Sequence, residues 1–431
     1  MNLNIFKQAI AQMRTQPLVS TITVAGTALA ILLIMIVVML QEVEVEPFAP
    51  ESNRDCFLHV QYMSITNETW GEGDSSNGPM SWATAKECFK TLTTPEAVTI
   101  YNVDVAMYPL QLPNQPSVSA DVRETDDTYF QVFDFSFIDG KPYDKAAFDA
   151  GLPVAVLSES IAKALFGSTE VTGREFLLSH APYRVAGVVK DVSTLASQAY
   201  GQVWIPFTST ASTEFTWCDG HMGSFSVTIL ARDRDDFDKI REEVERLRVA
   251  YNQVLGEQGW KLIYRNRPYD QEKFKSGTSA NMEPDVEATR RNRFMVYLIL
   301  LIVPAINLSS MTQSRLRQRI SEIGVRRSFG ATRTGIVSQL IVENMIVTLI
   351  AGAIGFVLSI TFAFLFREAL FTADYASTLN PPQVDMSILM HPSTFLMALM
   401  FCFILNLLSS GLPAWRASRT NVVNALNNQS K

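Results

Sequence analysis

Four long stretches without a charged side chain constrain this chain of 431 residues more than any other feature. They span 15–41, 294–314, 344–366 and 386–415, and none contains Asp, Glu, Lys or Arg. Each is near or above the roughly 20 residues that a helix needs to cross the hydrocarbon core of a bilayer. Backbone in lipid must satisfy its hydrogen bonds internally, which favours helices. The sequence therefore predicts a membrane protein with four transmembrane α-helices.

The first stretch predicts an uncleaved membrane anchor rather than a signal peptide. The apolar core of a signal peptide usually has about 7–15 residues and ends at a cleavage site of small residues. This stretch is much longer, and the sequence MLQEVEVEP that ends it offers no such site.

Basic residues near the apolar stretches predict the orientation of the chain. Segment 315–334 carries six arginines and a single acid, Glu322, and the tail 416–431 is also basic. Loop 367–390 has Arg367 as its one basic residue. Because Lys and Arg accumulate on the cytoplasmic side, we expect both termini and segment 315–334 in the cytoplasm. The multi-pass chain would then lie in the inner membrane, with residues 42–293 in the periplasm.

Composition limits the partners and the chemistry of the outer domain. The net charge is −7 and the cytoplasmic segments are basic, so the outer domain is acidic and nucleic acid is excluded as a partner. Membrane lipids surround the helices. Cys56, Cys88 and Cys218 would lie outside; three reduced thiols are favoured, with one disulfide left open.

The pattern divides the chain into nine segments. We expect an amphipathic interfacial helix (or a solvated lead-in) at 1–16, transmembrane helices at 17–41, 294–314, 335–366 and 391–415, the extracytoplasmic domain at 42–293, a short cytoplasmic helix at 315–334, an outer loop at 367–390 and the cytoplasmic tail at 416–431.

The extracytoplasmic domain has the pattern of an α/β fold. Strand–helix–strand patterns fall in 53–120, with Ser81 as a helix N-cap, and a long amphipathic helix followed by a strand falls in 211–275. Between them, 121–210 contains short β patterns and one helix that Gly167 would end. We therefore expect an α/β subdomain formed by 53–120 and 211–275, with a β-rich subdomain inserted at 121–210.

No catalytic, cofactor-binding or metal-binding residues emerge from the sequence. The histidines His59, His180, His221 and His391 are not at metal spacing and are interpreted as surface or packing residues. The chain has no G-x-x-x-x-G-K-[ST] motif, so we expect no ATP hydrolysis by it and no cofactor. We expect a protein that is not an enzyme.

The segment SEIGVRRSFGATR, residues 321–333, predicts a rigid corner between two membrane helices. A short helix can run to Phe329, with Gly330 in the left-handed region after it and Thr332 as the N-cap of the next helix. Val325 and Phe329 would share a face away from most of the arginines. A positively charged anchor would explain the arginines but not these exposed apolar residues.

Small residues in the third membrane helix predict close helix packing. Ala351 and Gly355 have small-xxx-small spacing and Gly352 is adjacent, which lets a neighbouring helix approach. The frequency of glycine in membrane helices is an equally acceptable explanation.

The cytoplasmic segment and the tail together resemble a known family. The stretch RISEIGVRRSFGATRTGIVSQLIVENMIVTLIAGAIGFVLS and the terminal GLPAWRASRTNVVNAL resemble the motifs of FtsX-like, MacB-type ABC transporter permeases. Val422 or Val423 stands where that family usually has proline. The outer-domain sequence DDTYFQVFDFSFIDGKPY is similar to the family's extracytoplasmic domain, so the resemblance covers nearly the whole chain.

The resemblance implies a mechanotransmission permease that works with a separate ABC ATPase subunit. It implies a second permease, identical or paralogous, leaves open a periplasmic adaptor protein, and makes the α/β subdomain porter-like. It assigns ATPase coupling to one segment, namely Glu322, Ile323, Gly324, Val325, Arg326, Arg327, Phe329, Gly330 and Ala331. The substrate would be exported or extracted from the periplasm or the outer leaflet, but its identity is not implied.

Three other functions remain open at this point. One is an FtsX-type regulator of cell-wall hydrolases, although the outer domain is larger than is usual for such regulators. Another is a membrane-anchored sensor or receptor, which would need a cytoplasmic signalling domain. The third is a membrane-anchored ectoenzyme, for which the sequence offers no recognisable site.

The predicted topology can be tested with reporter fusions. Fusions after Gln41 and after Arg333 should report opposite sides of the membrane, because one transmembrane helix separates the outer domain from the basic segment. A fusion after Arg293 should report the same side as Gln41. Equal signals from Gln41 and Arg333 would contradict the four-helix topology.

Overall fold

A computed structural model describes residues 17–277, 279–318, 325–326, 328–371 and 392–418. The chain divides into two compact units. One contains the long apolar helices, and the other contains the polar domain from Glu44 to Glu287. Each unit is described by itself.

The helices in the described residues are numbered in chain order. They are α1 Pro17–Val45, α2 Trp82–Ala85, α3 Tyr129–Val132, α4 Lys145–Asp149, α5 Glu159–Phe166, α6 Phe237–Gly256, α7 Gln271–Lys275, α8 Val286–Gln318, α9 Arg333–Leu365, α10 Arg367–Phe371 and α11 Pro392–Ser418. A π-helical turn, Lys86–Lys90, continues α2, and short 3₁₀ turns lie at Arg54–Cys56, Phe207–Ser209, Ser212–Glu214 and Arg234–Asp236.

The strands all lie in the polar domain. They are β1 Phe57–Val60, β2 Met63–Asn67, β3 Ser76–Gly78, β4 Ala97–Asn102, β5 Ala106–Gln111, β6 Val118–Thr125, β7 Phe137–Gly140, β8 Val154–Ser158, β9 Glu175–Leu178, β10 Ala181–Val189, β11 Val203–Pro206, β12 Phe225–Leu230, β13 Trp260–Ile263 and β14 Tyr269–Asp270.

The apolar unit is held together by packing between its long helices. Ile34 and Val38 of α1 share a buried cluster with Leu301 of α8 and with Phe401 and Leu405 of α11. Two of the described helices contain segments long and apolar enough to cross a membrane, Ser20–Val45 and Thr334–Leu365, and Leu396–Leu408 is a shorter apolar stretch.

Two glycines of α9 lie against neighbouring helices. A Cβ atom on Gly355 would lie 2.6 Å from the carbonyl oxygen of Ala28 in α1. A Cβ atom on Gly352 would meet the Sγ atom of Cys402 in α11. Ala351, beside them, is fully buried. At Gly355 even one methyl group would force α9 away from α1, because the contact is with backbone, whereas at Gly352 the side chain of Cys402 would have to move.

A route of hydrogen-bonded strands closes on itself in the polar domain. The route runs β11–β8–β10–β9–β5–β6 and returns to β11, because β6 and β11 pair in parallel from Val122↔Val203 to Thr125↔Pro206. The same sheet continues from β6 through β4, β12, β1 and β14. Strands β13, β2 and β3 form a separate small sheet.

Two apolar cores lie among the described residues of the polar domain. One lies inside the closed strand route and includes Leu110, Val122 and Leu157. The other lies between β1, β4 and β12 and the helices α2 and α6, and includes Phe89, Ile100 and Ile240. Packed apolar side chains of the kind found in these cores are the main favourable term in folding such a domain.

Several local predictions from the sequence are confirmed. The Oγ atom of Ser81 accepts from the backbone N–H of Thr84 at 3.2 Å and caps α2. Gly167 follows α5 with φ +73°. Gly330 has φ +92°, and Thr332 caps α9 by accepting from the N–H of Gly335 at 3.2 Å.

Some boundaries differ from the expected ones. Helix α1 runs to Val45 rather than 41 and α8 starts at Val286 rather than 294, because a helix continues past the residues that lipid requires to be apolar. Strand β5, expected in the α/β part, belongs to the closed strand route, since it pairs with β6 and β9 and buries Leu110. The inserted part therefore starts near Ala106 rather than 121.

The close approach at Gly355 predicts that one added methyl group destabilises the chain more at this position than at Gly26. Gly355→Ala should lower the free energy of unfolding of the detergent-solubilised chain by about 1–3 kcal/mol, because its Cβ atom would clash with backbone. Gly26→Ala, in α1 with nothing within 4 Å of its Cβ position, should be neutral or slightly stabilising. Equal unfolding energies for the two variants would show that α9 can move away without cost.

Candidate functional site

The corner before α9 presents two apolar side chains to the surface. Phe329 is 87% exposed and Val325 is 45% exposed. The backbone N–H of Phe329 donates to the carbonyl of Val325 at 3.2 Å, so both belong to one helical turn. Gly330 and the Thr332 cap then fix the direction in which α9 leaves. An exposed phenylalanine on a defined corner is a surface suited to a partner protein.

Polar contacts connect this corner to the buried side of α9. The Nη1 atom of Arg326 donates to the Oε1 atom of Gln339 at 3.1 Å. The Nε2 atom of Gln339 donates to Glu343 at 2.9 Å, and Glu343 is only 5% exposed. These contacts tie the turn that carries Phe329 to the first turns of α9.

Of the predicted coupling residues, the structure places Val325, Arg326, Phe329, Gly330 and Ala331 in this corner. Ala331 donates its N–H to the carbonyl of Arg326 at 3.1 Å. The remaining ones, Glu322, Ile323, Gly324 and Arg327, lie outside the described residues. The coupling role of the segment stays a prediction.

A buried ion pair organises the part of the polar domain that follows α1. Glu51 and Arg54 are almost fully buried, and the Nε atom of Arg54 lies 2.7 Å from the Oε2 atom of Glu51. The other carboxylate oxygen accepts the backbone N–H groups of Gln198 at 2.8 Å and Ala199 at 3.0 Å. Burial raises the pKa of Glu51, but the Arg54 guanidinium and these hydrogen bonds outweigh it and hold the pKa below its usual value.

Arg54 also holds two distant segments together. Its Nη1 atom donates to the carbonyl of Glu46 at 3.0 Å and its Nη2 atom to the carbonyl of Leu195 at 2.8 Å. Its guanidinium lies over the ring of Phe48 at 4.2 Å. The residues just after α1 are thereby fixed to loop 190–202.

A second set of contacts fixes the last turn of α1. The Nε2 atom of Gln271 donates to the carbonyl of Glu44 at 2.8 Å, and its Oε1 atom contacts the Nε2 atom of His59 at 2.9 Å. His59 stacks on Phe274 with ring centroids 4.4 Å apart. Burial lowers the pKa of His59 to about 4, against the opposing effects of Glu51 and Gln271.

Cys56, Cys88 and Cys218 of the polar domain are free thiols in the structure. Burial raises the pKa of the Cys88 thiol to about 12 and also raises that of Cys56. Their protonated form is inert as a nucleophile.

Long apolar helices with close-approach glycines, together with a large polar α/β domain, are typical of a membrane protein that carries a domain outside the bilayer. Comparison with family models identifies the class as a membrane permease. Residues 20–247 match the MacB-like periplasmic core domain, and residues 294–422 match the FtsX-like permease C-terminal domain. The chain belongs to the FtsX-like, MacB-type ABC transporter permeases, which confirms the resemblance seen in its motifs.

Curated relatives include the macrolide export ATP-binding/permease protein MacB of Escherichia coli O157:H7 and of Escherichia coli strain K12. Each is 23% identical over 315 residues, which is 73% of this chain and 44% of the relative. The chain thus spans less than half the length of these relatives.

Solved structures similar to the chain are those of isolated domains. The periplasmic region of MacB from Actinobacillus actinomycetemcomitans is 20% identical and covers 48% of this chain and 89% of that one, with a TM-score of 0.32. The extracellular domain of the noncanonic ABC-type transporter YknZ from Gram-positive bacteria is 16% identical and covers 47% and 99%, with a TM-score of 0.32. With scores this low, the family assignment rests on the two family models alone.

Sequence reasoning missed the buried contacts around α1. Glu51 and Arg54 look like ordinary polar residues in a loop, and only their spacing of three hinted at a pair. Nothing in the sequence indicated that Leu195, 141 residues away, would accept a hydrogen bond from Arg54. His59 is one of the packing residues that the sequence analysis allowed, but its hydrogen bond to Gln271 was not predicted.

Burial of neutral His59 predicts a pH dependence of stability. Its pKa is about 4 in the folded domain and about 6.5 in an unfolded chain. The unfolded state binds the proton more tightly, so neutral His59 contributes to the free energy of unfolding. This contribution, on the order of 3 kcal/mol, is complete above about pH 6.5 and is lost as pH falls towards 4. The free energy of unfolding, measured between these pH values, should therefore depend less steeply on pH for His59→Gln than for the unmodified protein.

The control is His180→Asn, at an exposed turn, which should keep the slope of the unmodified protein. An unchanged slope for His59→Gln would mean that other groups carry the dependence.

Proposed function

We propose that this chain is the permease subunit of a mechanotransmission ABC transporter. A separate ABC ATPase hydrolyses ATP, the permease itself does not, and the corner before α9 receives the motion. The permease passes that motion to its periplasmic domain for export or extraction of a substrate from the periplasm or the outer leaflet. The observation that carries this proposal is Phe329, 87% exposed on a corner with defined geometry.

The arrangement in the membrane is part of the proposal. Helices α1, α8, α9 and α11 span the inner membrane, with both termini in the cytoplasm and the polar domain in the periplasm. The apolar segments Ser20–Val45 and Thr334–Leu365 support two of these spans. A second permease, identical or paralogous, completes the transporter, and a periplasmic adaptor remains compatible with it.

The partner surface on the ATPase would be an apolar pocket with an acidic rim. Phe329 and Val325 would enter the pocket, since buried aromatic residues dominate interface energies. The arginines of segment 315–334 would meet the rim and speed association.

Helix α9 is suited to carry the motion. Arg326, Gln339 and Glu343 attach the corner to its first turns. Gly352 and Gly355 place it directly against α11 and α1, so a displacement of α9 is transmitted to both instead of being absorbed by flexible side chains.

Substitution of Phe329 tests the proposal. Phe329→Ala should weaken association with the ATPase by about 2 kcal/mol, as the loss of an interface anchor does. The measurement is recovery of a P-loop ATPase with the affinity-tagged full-length chain, quantified by mass spectrometry from its own cells.

Phe215→Ala provides a matched control, because Phe215 is 63% exposed but lies in the polar domain. It should leave ATPase recovery unchanged. Protease resistance of the polar domain serves as a fold check for both variants. Undiminished recovery with folded Phe329→Ala would show that this side chain is not the anchor.

A further inference from the structure

The polar domain contains a cavity of about 460 Å³ that the proposed function does not use. Its wall includes Val105 from the loop after β4, Arg123 from β6, Ser197 from loop 190–202, and Phe274 and Lys275 from α7. A cavity of this size is within the range of small-molecule sites, which are usually apolar with a few convergent polar groups.

Arg123 places a buried guanidinium in the wall. It is 2% exposed. Its Nη2 atom donates to the carbonyl of Ser197 at 3.0 Å and its Nη1 atom to the carbonyl of Asn102 at 3.2 Å, while its Nε atom donates to the carbonyl of Tyr200. These acceptors are neutral, and no carboxylate in the described part of the chain forms an ion pair with Arg123.

Lys275 brings a second cation to the same place. Its Nζ atom donates to the Oγ atom of Ser197 at 2.9 Å, so both cations contact the same residue. Within the described ranges it has no carboxylate at ion-pair distance. Burial lowers the pKa of Lys275, and Glu51 and Glu44 oppose this from farther away. Partly desolvated cations without a carboxylate at ion-pair distance favour a bound anion.

The rest of the wall favours an apolar group. Phe274 is 9% exposed, and Val103 and Val105 are partly buried. The carboxylates of Glu44 and Asp104 also line the cavity, but both residues are exposed, so solvent weakens their repulsion of an anion. Arg123 and Lys275 are therefore the charged groups of the cavity wall that are least exposed to solvent.

We propose that this cavity binds an amphipathic molecule with an oxyanion head. The head, a phosphate or a carboxylate, contacts the free N–H groups of Arg123 and the ammonium of Lys275. The apolar part lies against Val105 and Phe274. Charge-assisted hydrogen bonds to a desolvated oxyanion are the strong class of such bonds.

Calorimetric titration of the full-length chain in an uncharged maltoside detergent tests this at constant ionic strength. The probes are butyl phosphate, inorganic phosphate and 1-butanol. Butyl phosphate should bind, inorganic phosphate should bind more weakly because it lacks the apolar part, and 1-butanol should not bind. The ATPase is absent, so the result is independent of the proposed transport function.

Lys275→Met should weaken the affinity for butyl phosphate at least about tenfold, and Lys275→Arg should retain most of that affinity. Lys261→Met removes an exposed lysine outside the cavity and should bind as the unmodified chain does. Val105→Trp should fill the cavity while leaving both cations in place, and should therefore also weaken the binding of butyl phosphate. This variant provides the test if Lys275→Met proves unstable.

If butyl phosphate does not bind at concentrations up to roughly 10 mM, the proposal is overturned. Equal binding by Lys275→Met and the unmodified chain would overturn it as well. Equal affinity for inorganic phosphate and butyl phosphate would overturn the amphipathic character of the ligand.

Discussion

The part of the polar domain that directly follows α1 depends on the buried ion pair of Glu51 and Arg54. One carboxylate oxygen accepts from two backbone N–H groups of loop 190–202, and the guanidinium reaches Glu46 and Leu195. Removal of either partner would leave a buried charge without compensation, which is far more costly than the net value of the pair. Two segments that are distant in sequence, residues 46–54 and loop 190–202, therefore keep one arrangement.

A defined geometry also characterises the corner before α9, for a different reason. There the backbone is directed by Gly330 in the left-handed region and by the Thr332 cap, and the side chains of Arg326 and Gln339 add polar contacts. The apolar side chain of Phe329 is left exposed by this arrangement.

Sequence reasoning succeeded where the determining interactions are local. Gly330, Thr332 and Ser81 act within three or four residues of themselves, so turn and cap preferences were sufficient. The family was also accessible, because its motifs are short and contiguous. Contacts such as His59 with Gln271, 212 residues apart, depend on the tertiary fold and left no local signal. Strand β5 was misplaced for the same reason, because its pattern did not reveal whether β4 or β6 and β9 would be its partners.

The return pairing of β6 with β11 has a consequence for recognition. Each of the strands β5, β6, β8, β9, β10 and β11 has hydrogen-bonded neighbours along both sides of the closed route. Strand addition by a foreign peptide needs a free row of N–H and C=O groups, and the paired stretches of β6 and β11 offer no such row to each other's side. A protein that binds along these stretches must therefore use loops and side chains, which can diverge between relatives without disturbing the hydrogen bonds that hold the strands together.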